Sequence, residues 1–242
     1  MNIRAITKVY ADLEKCAEHW HATLLSERGG SARRYALDRL PKSFVISKKL
    51  GVCYDFPEDC LDSLTITGNK KRSKKNPTFW GRLVIPILDA GYTVGFGARN
   101  LKQDDFSKYI NSPESEFYQK SGTLYNLWEA RKEIHKLGFA ILVEGYFDVL
   151  GLEAVGIKNV VAGCGTAFAQ RQAEKLAYFT DTVVTWYDGD KPGVEAAKKA
   201  KKLLGSQGFS VSILKTPGLD PFDASKKFSV AKLKTKIEES ME

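Results

Sequence analysis

Residues 139–148, Phe-Ala-Ile-Leu-Val-Glu-Gly-Tyr-Phe-Asp, constrain this chain more than any other stretch. Five apolar residues are too few for a buried helix and suit a strand buried on both faces. The run ends in a glutamate and turns through Gly145 into a helical pattern. About forty residues on, Thr182-Val-Val-Thr-Trp186 repeats the arrangement and ends in Asp188-Gly189-Asp190. Two apolar strands, each followed by a helix, predict an α/β fold with a mainly parallel sheet. The carboxyl ends of such strands face one crevice, so Glu144, Asp188 and Asp190 converge there. Carboxylates brought together repel unless a cation lies between them, and hard oxygen ligands suit Mg²⁺ or Mn²⁺.

The segments between and after these runs fit the same sheet. Asn159–Ala162 reads as a strand, and Gly163-Cys164-Gly165-Thr166 as a glycine-rich turn whose backbone N–H groups suit phosphate. Helices are expected over Asp148–Val155 and Ala169–Tyr178 and after Pro192, with a strand over Ser210–Leu214. The lysine-rich stretch after Asp223 reads as one helix.

Upstream, Leu13, Cys16, Ala17, Trp20 and Leu24 form one apolar face of a helix over 11–27. Cys16, His19 and His21 read as part of that helix rather than as a metal site. A second helix is expected over Ser31–Leu40, stopped by Pro41; Phe44-Val-Ile and Leu50–Tyr54 follow as short segments. Residues 68–77, Gly-Asn-Lys-Lys-Arg-Ser-Lys-Lys-Asn-Pro, form an exposed loop. It serves either as a solvated tip or as an arm that touches phosphate. Phe79–Ile87 and Tyr92–Arg99 read as a hairpin joined at Asp89-Ala90-Gly91. Gly95 and Gly97 leave room there for another backbone or a ligand.

A net charge of +8 suits a polyanionic partner. The four cysteines form no Cys-x-x-Cys pair, so neither a zinc ribbon nor a redox dithiol is visible. Scattered thiols suit a reducing cytosol. With neither a signal-peptide core nor a membrane-length apolar run, a cytoplasmic protein without membrane contact is expected.

Glu144-Gly145-Tyr146-Phe147-Asp148 followed by Asp188-Gly189-Asp190 resembles the acidic motifs of the TOPRIM domain. Ahead of them stand Arg82…Pro86-Ile87, Gly95-Phe96-Gly97-Ala98-Arg99, Lys108-Tyr-Ile-Asn111-Ser-Pro-Glu114 and Lys120…Leu124-Tyr125. Their order and spacing are similar to those of the DnaG-type primase catalytic core, over roughly residues 79 to 223. The resemblance implies a basic α+β N-terminal lobe (1–135), a TOPRIM metal-binding domain (136–223) and a short helical tail (224–242). It implies DNA-templated synthesis of short RNA primers by metal-dependent nucleotidyl transfer. Glu144, Asp188 and Asp190 would be the catalytic and metal-holding acids, with Asp148 and Asp220 supporting the Mg²⁺ or Mn²⁺. Arg82, Arg99, Lys108, Asn111 and Lys120 would hold nucleotide and template. The implied partners are single-stranded DNA, ribonucleoside triphosphates and a replicative helicase. A TOPRIM nuclease or nicking enzyme, or a non-catalytic nucleic-acid-binding subunit, is the alternative.

The sequence departs from the family in one motif. Where primases place Asp-Pro-Asp, this chain has Asp220-Pro221-Phe222-Asp223, its second aspartate displaced by one residue. No zinc-binding or helicase-binding segment is visible. The expectation is a minimal primase of a phage or mobile element, or a fragment.

Overall fold

The computed structural model describes residues 2–60, 62–63, 79–102, 107–165 and 167–242. The lysine-rich loop and Thr166 lie outside these described residues. The chain divides into two compact units, Met1–Gln119 and Lys120–Glu242.

In the first unit, helix α1 (Ile3–Leu25) starts earlier than the apolar periodicity suggested. The side chain of Asn2 accepts from the Ala5 N–H at 2.9 Å and caps the added turns. Val9, Leu13, Cys16, Ala17, Trp20 and Leu24 form its buried stripe. The stripe packs on an antiparallel sheet ordered β1 (Gly51–Val52), β2 (Leu83–Asp89), β3 (Tyr92–Arg99), β4 (Tyr109–Asn111). Trp20 fills the centre, edge-on to Phe56, Phe79 and Phe96. Its indole N–H donates to the Asp55 carbonyl at 2.7 Å, so the buried polar end is satisfied. His19 pairs with Asp55 and His21 meets the Leu50 carbonyl, which gives both histidines structural partners. Helix α2 (Gly30–Leu37) falls where the second helix is expected but ends before the Asp38 C-cap, three residues short of Leu40. Phe44-Val-Ile belongs to a further short helix, α3 (Lys42–Ser47), with Pro41 at its N-cap.

The β2–β3 hairpin runs from Leu83↔Arg99 to Asp89↔Tyr92, with a register shift between Ile87 and Leu88. The space at Gly95 is taken from within the unit. A Cβ there would come within 3.2 Å of the Tyr118 ring and 3.3 Å of Ser112. That glycine serves packing rather than a ligand.

The second unit holds a sheet ordered β5 (Leu124–Tyr125), β7 (Val160–Gly163), β6 (Ala140–Val143), β8 (Thr182–Thr185), β9 (Ser210–Ile213). Strands β6, β7, β8 and β9 are parallel; β5 adds an antiparallel edge. The central strand β6 is buried throughout, as a parallel strand covered on both faces requires. Helices α4 (Leu127–Leu137), α5 (Tyr146–Ala154), α6 (Gln170–Leu176) and α7 (Lys191–Ser206) flank the sheet.

The division falls after Gln119 rather than at residue 135. Two features account for this. β5 pairs with β7, and α4 buries Leu127, Ala130 and Ile134 in the same core as Leu142 and Val161. The stretch after Asp223 is not one helix but parts of two, α8 (Pro221–Lys227) and α9 (Val230–Glu239). Phe228 is extended between them, and the Ser229 side chain caps α9 by accepting from the Lys232 N–H. Among the described residues no helix is long and apolar enough to cross a membrane.

Candidate metal centre

Three aspartates meet beyond the carboxyl ends of β6 and β8. One carboxylate oxygen from each of Asp148, Asp188 and Asp220 lies within 4.8 Å of the others. Asp148 stands in the first turn of α5, just past β6. Asp188 lies in the loop after β8, and Asp220 caps α8.

Asp148 is the buried member, 8% exposed. The Gly145 N–H donates to its carboxylate at 2.9 Å, which ties Asp148 to the β6–α5 turn. Burial first, then the charges of Asp188 and Asp220, push its pKa up to about 8. Backbone N–H groups of Gly145 and Phe222 pull the other way and do not win. An Asp held so far above the usual range marks a site whose charge lacks compensation from the protein itself. The donor set consists of hard carboxylate oxygens with one buried anchor and two half-buried arms, which fits a small divalent cation.

Gly189 explains how two loops come close enough to build this centre. A Cβ on it would stand 2.6 Å from the Thr216 carbonyl oxygen and 2.9 Å from the Gly218 nitrogen. Only a glycine lets the Asp188 loop lie against the 216–219 segment that delivers Asp220. Trp186 fixes the same contact from below: its indole N–H donates to the Thr216 hydroxyl at 2.9 Å.

The acids divide differently from the sequence grouping. Asp148 and Asp220, expected in support, join Asp188 in the cluster. Asp190 lies outside that group of three, and one of its carboxylate oxygens accepts from the Gly193 N–H at 2.8 Å and caps α7. β8 ends at Thr185, so both aspartates lie on a turn leading into a helix. Glu144 is exposed at the end of β6, outside the mutual 4.8 Å group. Its charge, after burial, raises the Tyr187 hydroxyl pKa, which places Glu144 on the same edge of the sheet. Asp223 is exposed in the first turn of α8, where its N–H donates to the Asp220 carboxylate at 2.6 Å. The displaced aspartate therefore contributes its backbone to the capping of Asp220.

The expected cations fall in both units. Arg82, Arg99 and Lys108 gather at one end of the first unit's sheet, where Leu83 pairs with Arg99 and Arg99 with Tyr109. Arg82 donates to the Ser107 carbonyl at 2.9 Å. Arg99 hydrogen-bonds the Tyr109 hydroxyl and lies over the Tyr109 and Tyr35 rings, 5.1 and 5.3 Å from their centroids. Asn111 pairs with Gly97, two positions along the strand from Tyr109. Lys120 opens a short 3₁₀ turn in the second unit, and its carbonyl accepts from the Gln172 side chain at 2.8 Å.

Sequence reading passed over two neighbours of Arg99. Tyr35 lies in the last turn of α2 and Arg39 in the turn just past it, with the Arg39 guanidinium over the Tyr35 ring, 3.7 Å from its centroid. An aromatic and an arginine at i and i+4 was the available signal. It lacked meaning until the fold brought Arg99 to the same ring.

Residues 20–131 match the DNA primase catalytic core, N-terminal domain, and residues 138–215 match the Toprim domain. The chain carries a DnaG-type primase catalytic core. The primase of Aquifex aeolicus is 39% identical over 252 residues, covering 97% of this chain and 50% of that protein. The Staphylococcus epidermidis primase is 32% identical over 233 residues, covering 89% of this chain and 39% of the relative. Thus the chain spans half or less of the length of these curated relatives. Among solved structures, the zinc-binding and RNA polymerase domains of Aquifex aeolicus primase give a TM-score of 0.88 at 38% identity, covering 96% of this chain and 61% of that one. A DnaG primase catalytic domain bound to single-stranded DNA gives 0.86 at 27% identity, covering 99% and 81%. The primase fold accounts for both units: the motifs with Arg99 and Lys108 lie on the first sheet, and the TOPRIM acids lie at the edge of the second.

Proposed function

We propose that this chain carries the nucleotidyl-transfer chemistry of a DNA primase, making short RNA primers on a single-stranded DNA template from ribonucleoside triphosphates. The observation that carries this reading is the Asp148–Asp188–Asp220 cluster at the TOPRIM edge, in a chain with 97% of its length aligned to a primase. Asp148, Asp188 and Asp220 would hold Mg²⁺ or Mn²⁺, with Glu144 after β6 and Asp190 at the N-cap of α7 as further acids of the site. A divalent cation there neutralises charge on the attacking and leaving oxygens of phosphoryl transfer.

The chain's own groups supply holding and positioning. Buried Asp148 is fixed by backbone hydrogen bonds, so it sets where the other two carboxylates converge. Arg82, Arg99, Lys108 and Lys120 offer cations for triphosphate and template phosphates, and Arg99 is oriented by its tyrosines for a bidentate contact. Asn111 offers an amide for orienting nucleotide or template. The kinship with DnaG-type primases supports a replicative helicase as partner. It would raise priming by increasing the local concentration of template, without adding a catalytic group.

The test is incubation with single-stranded DNA, labelled ribonucleotides and Mg²⁺ or Mn²⁺, with products sized on a gel. Short RNA products that require template support the reading. Cleavage of the DNA without ribonucleotides, and no RNA product, would replace it with a nuclease.

A further inference from the structure

The end of the first sheet that gathers Arg82, Arg99 and Lys108 also carries an exposed tryptophan, Trp80, packed against the half-buried Tyr54. Phe79, Trp80, Gly81 and Arg82 form a β-turn closed by the Arg82 N–H on the Phe79 carbonyl at 3.0 Å. Gly81 has φ of 68°, the left-handed conformation that the third position of such a turn demands. The turn is anchored on both sides. Phe79 is fully buried against Trp20 and Phe96, and the Gly81 N–H donates to the Cys53 carbonyl at 2.9 Å. Trp80, at the corner between them, is left 46% exposed. Tyr54 meets it edge-on with ring centroids 5.5 Å apart, and the Arg28 guanidinium lies 5.9 Å from the Tyr54 ring centroid.

An indole held at a rigid corner, two residues from Arg82, has the chemistry of a base-stacking platform beside a phosphate track. We propose that Trp80, braced by Tyr54, stacks one unpaired base of a single-stranded DNA whose neighbouring phosphates are held by Arg82, Arg99 and Lys108. The inference rests on the template-binding part of the proposed function and adds a residue that none of the matched motifs contains. The occupant is a single strand because duplex bases present no free face, whereas an unpaired base of any sequence does. The cations set the sign of the partner's charge. Trp80 would contribute without charge, which separates its signature from theirs.

The experiment measures binding of the full chain to a fluorescent oligothymidylate and to an abasic strand of the same length and charge, across a salt series. Trp80→Ala is expected to weaken oligothymidylate binding roughly 5- to 150-fold, the range for losing one stacked base. The slope of affinity against salt should stay unchanged, since no phosphate contact is lost. Abasic binding should match wild type, and Trp80→Phe should recover most of the loss. Circular dichroism and melting of each variant check the fold, and Trp80→Leu, apolar but without a ring to stack, carries the test if the alanine variant does not fold. Equal binding of oligothymidylate by wild type and Trp80→Ala would overturn the inference, as would equal losses on both strands. A wild-type chain that binds neither strand would remove the template reading and this inference with it.

Discussion

Asp148→Asn separates the electrostatic cost of the acidic centre from its use. The Asp148 carboxyl has its pKa raised from 3.8 to about 8, by burial first and then by Asp188 and Asp220. Between those values the folded chain keeps a proton that the unfolded chain has lost, so stability falls as pH rises through that window. The penalty is absent below about pH 4 and complete above about pH 8. Four units correspond to about 5 kcal/mol, and sharing among the three charges reduces what one substitution recovers. Asparagine keeps an oxygen for the Gly145 N–H but loses the second acceptor that faces the Phe222 N–H, at a cost of about 1 kcal/mol. Urea denaturation in chelator should therefore find the variant more stable than wild type by about 2–4 kcal/mol near pH 8.5 and nearly equal to it near pH 4.5. Added Mg²⁺ near pH 8.5 should stabilise wild type and leave the variant almost unmoved. A variant less stable than wild type near pH 8.5, or a difference that ignores pH, would refute the reasoning.

Two further perturbations probe how the sites are built. Gly189→Ala places a methyl 2.6 Å from the Thr216 carbonyl oxygen. It should cost about 1–3 kcal/mol in denaturation and weaken Mn²⁺ binding measured by titration, because the Asp188 loop must move away from Asp220. Arg99→Ala should lower the slope of log affinity for single-stranded DNA against log salt by about one phosphate's worth. Arg99→Lys should restore the slope but not the full affinity, since an ammonium cannot reproduce the planar donors of a guanidinium that lies over the Tyr35 and Tyr109 rings.

The parts of this fold legible in the sequence were those written in long periodic runs. The stripe Leu13–Leu24 and the apolar strands 140–143 and 182–185 could be placed because burial dictates their composition. Strand β5 could not, since two residues carry no period, and with it went the boundary between the units. The acids were found as a set, but their division was not. Spacing along the chain showed Asp188 and Asp190 together, but not that the strand stops at Thr185 and Asp190 also caps a helix. Asp148 and Asp220, seventy-two residues apart by their numbers, meet only because α5 and α8 begin at the same edge of the sheet. Tyr35 was silent for the same reason: Arg99, which lies over its ring as the local partner Arg39 does, is far along the chain.

Primer synthesis is proposed to depend on a divalent cation held by Asp148, Asp188 and Asp220. The direct measurement pairs Mn²⁺ binding, followed by electron paramagnetic resonance, with primer yield on single-stranded DNA for wild type and Asp188→Ala. Wild type should bind Mn²⁺ and make template-dependent RNA. Asp188→Ala, folded by circular dichroism, should lose tight Mn²⁺ binding and product together. A folded Asp188→Ala chain that binds Mn²⁺ and primes as wild type does would contradict the account.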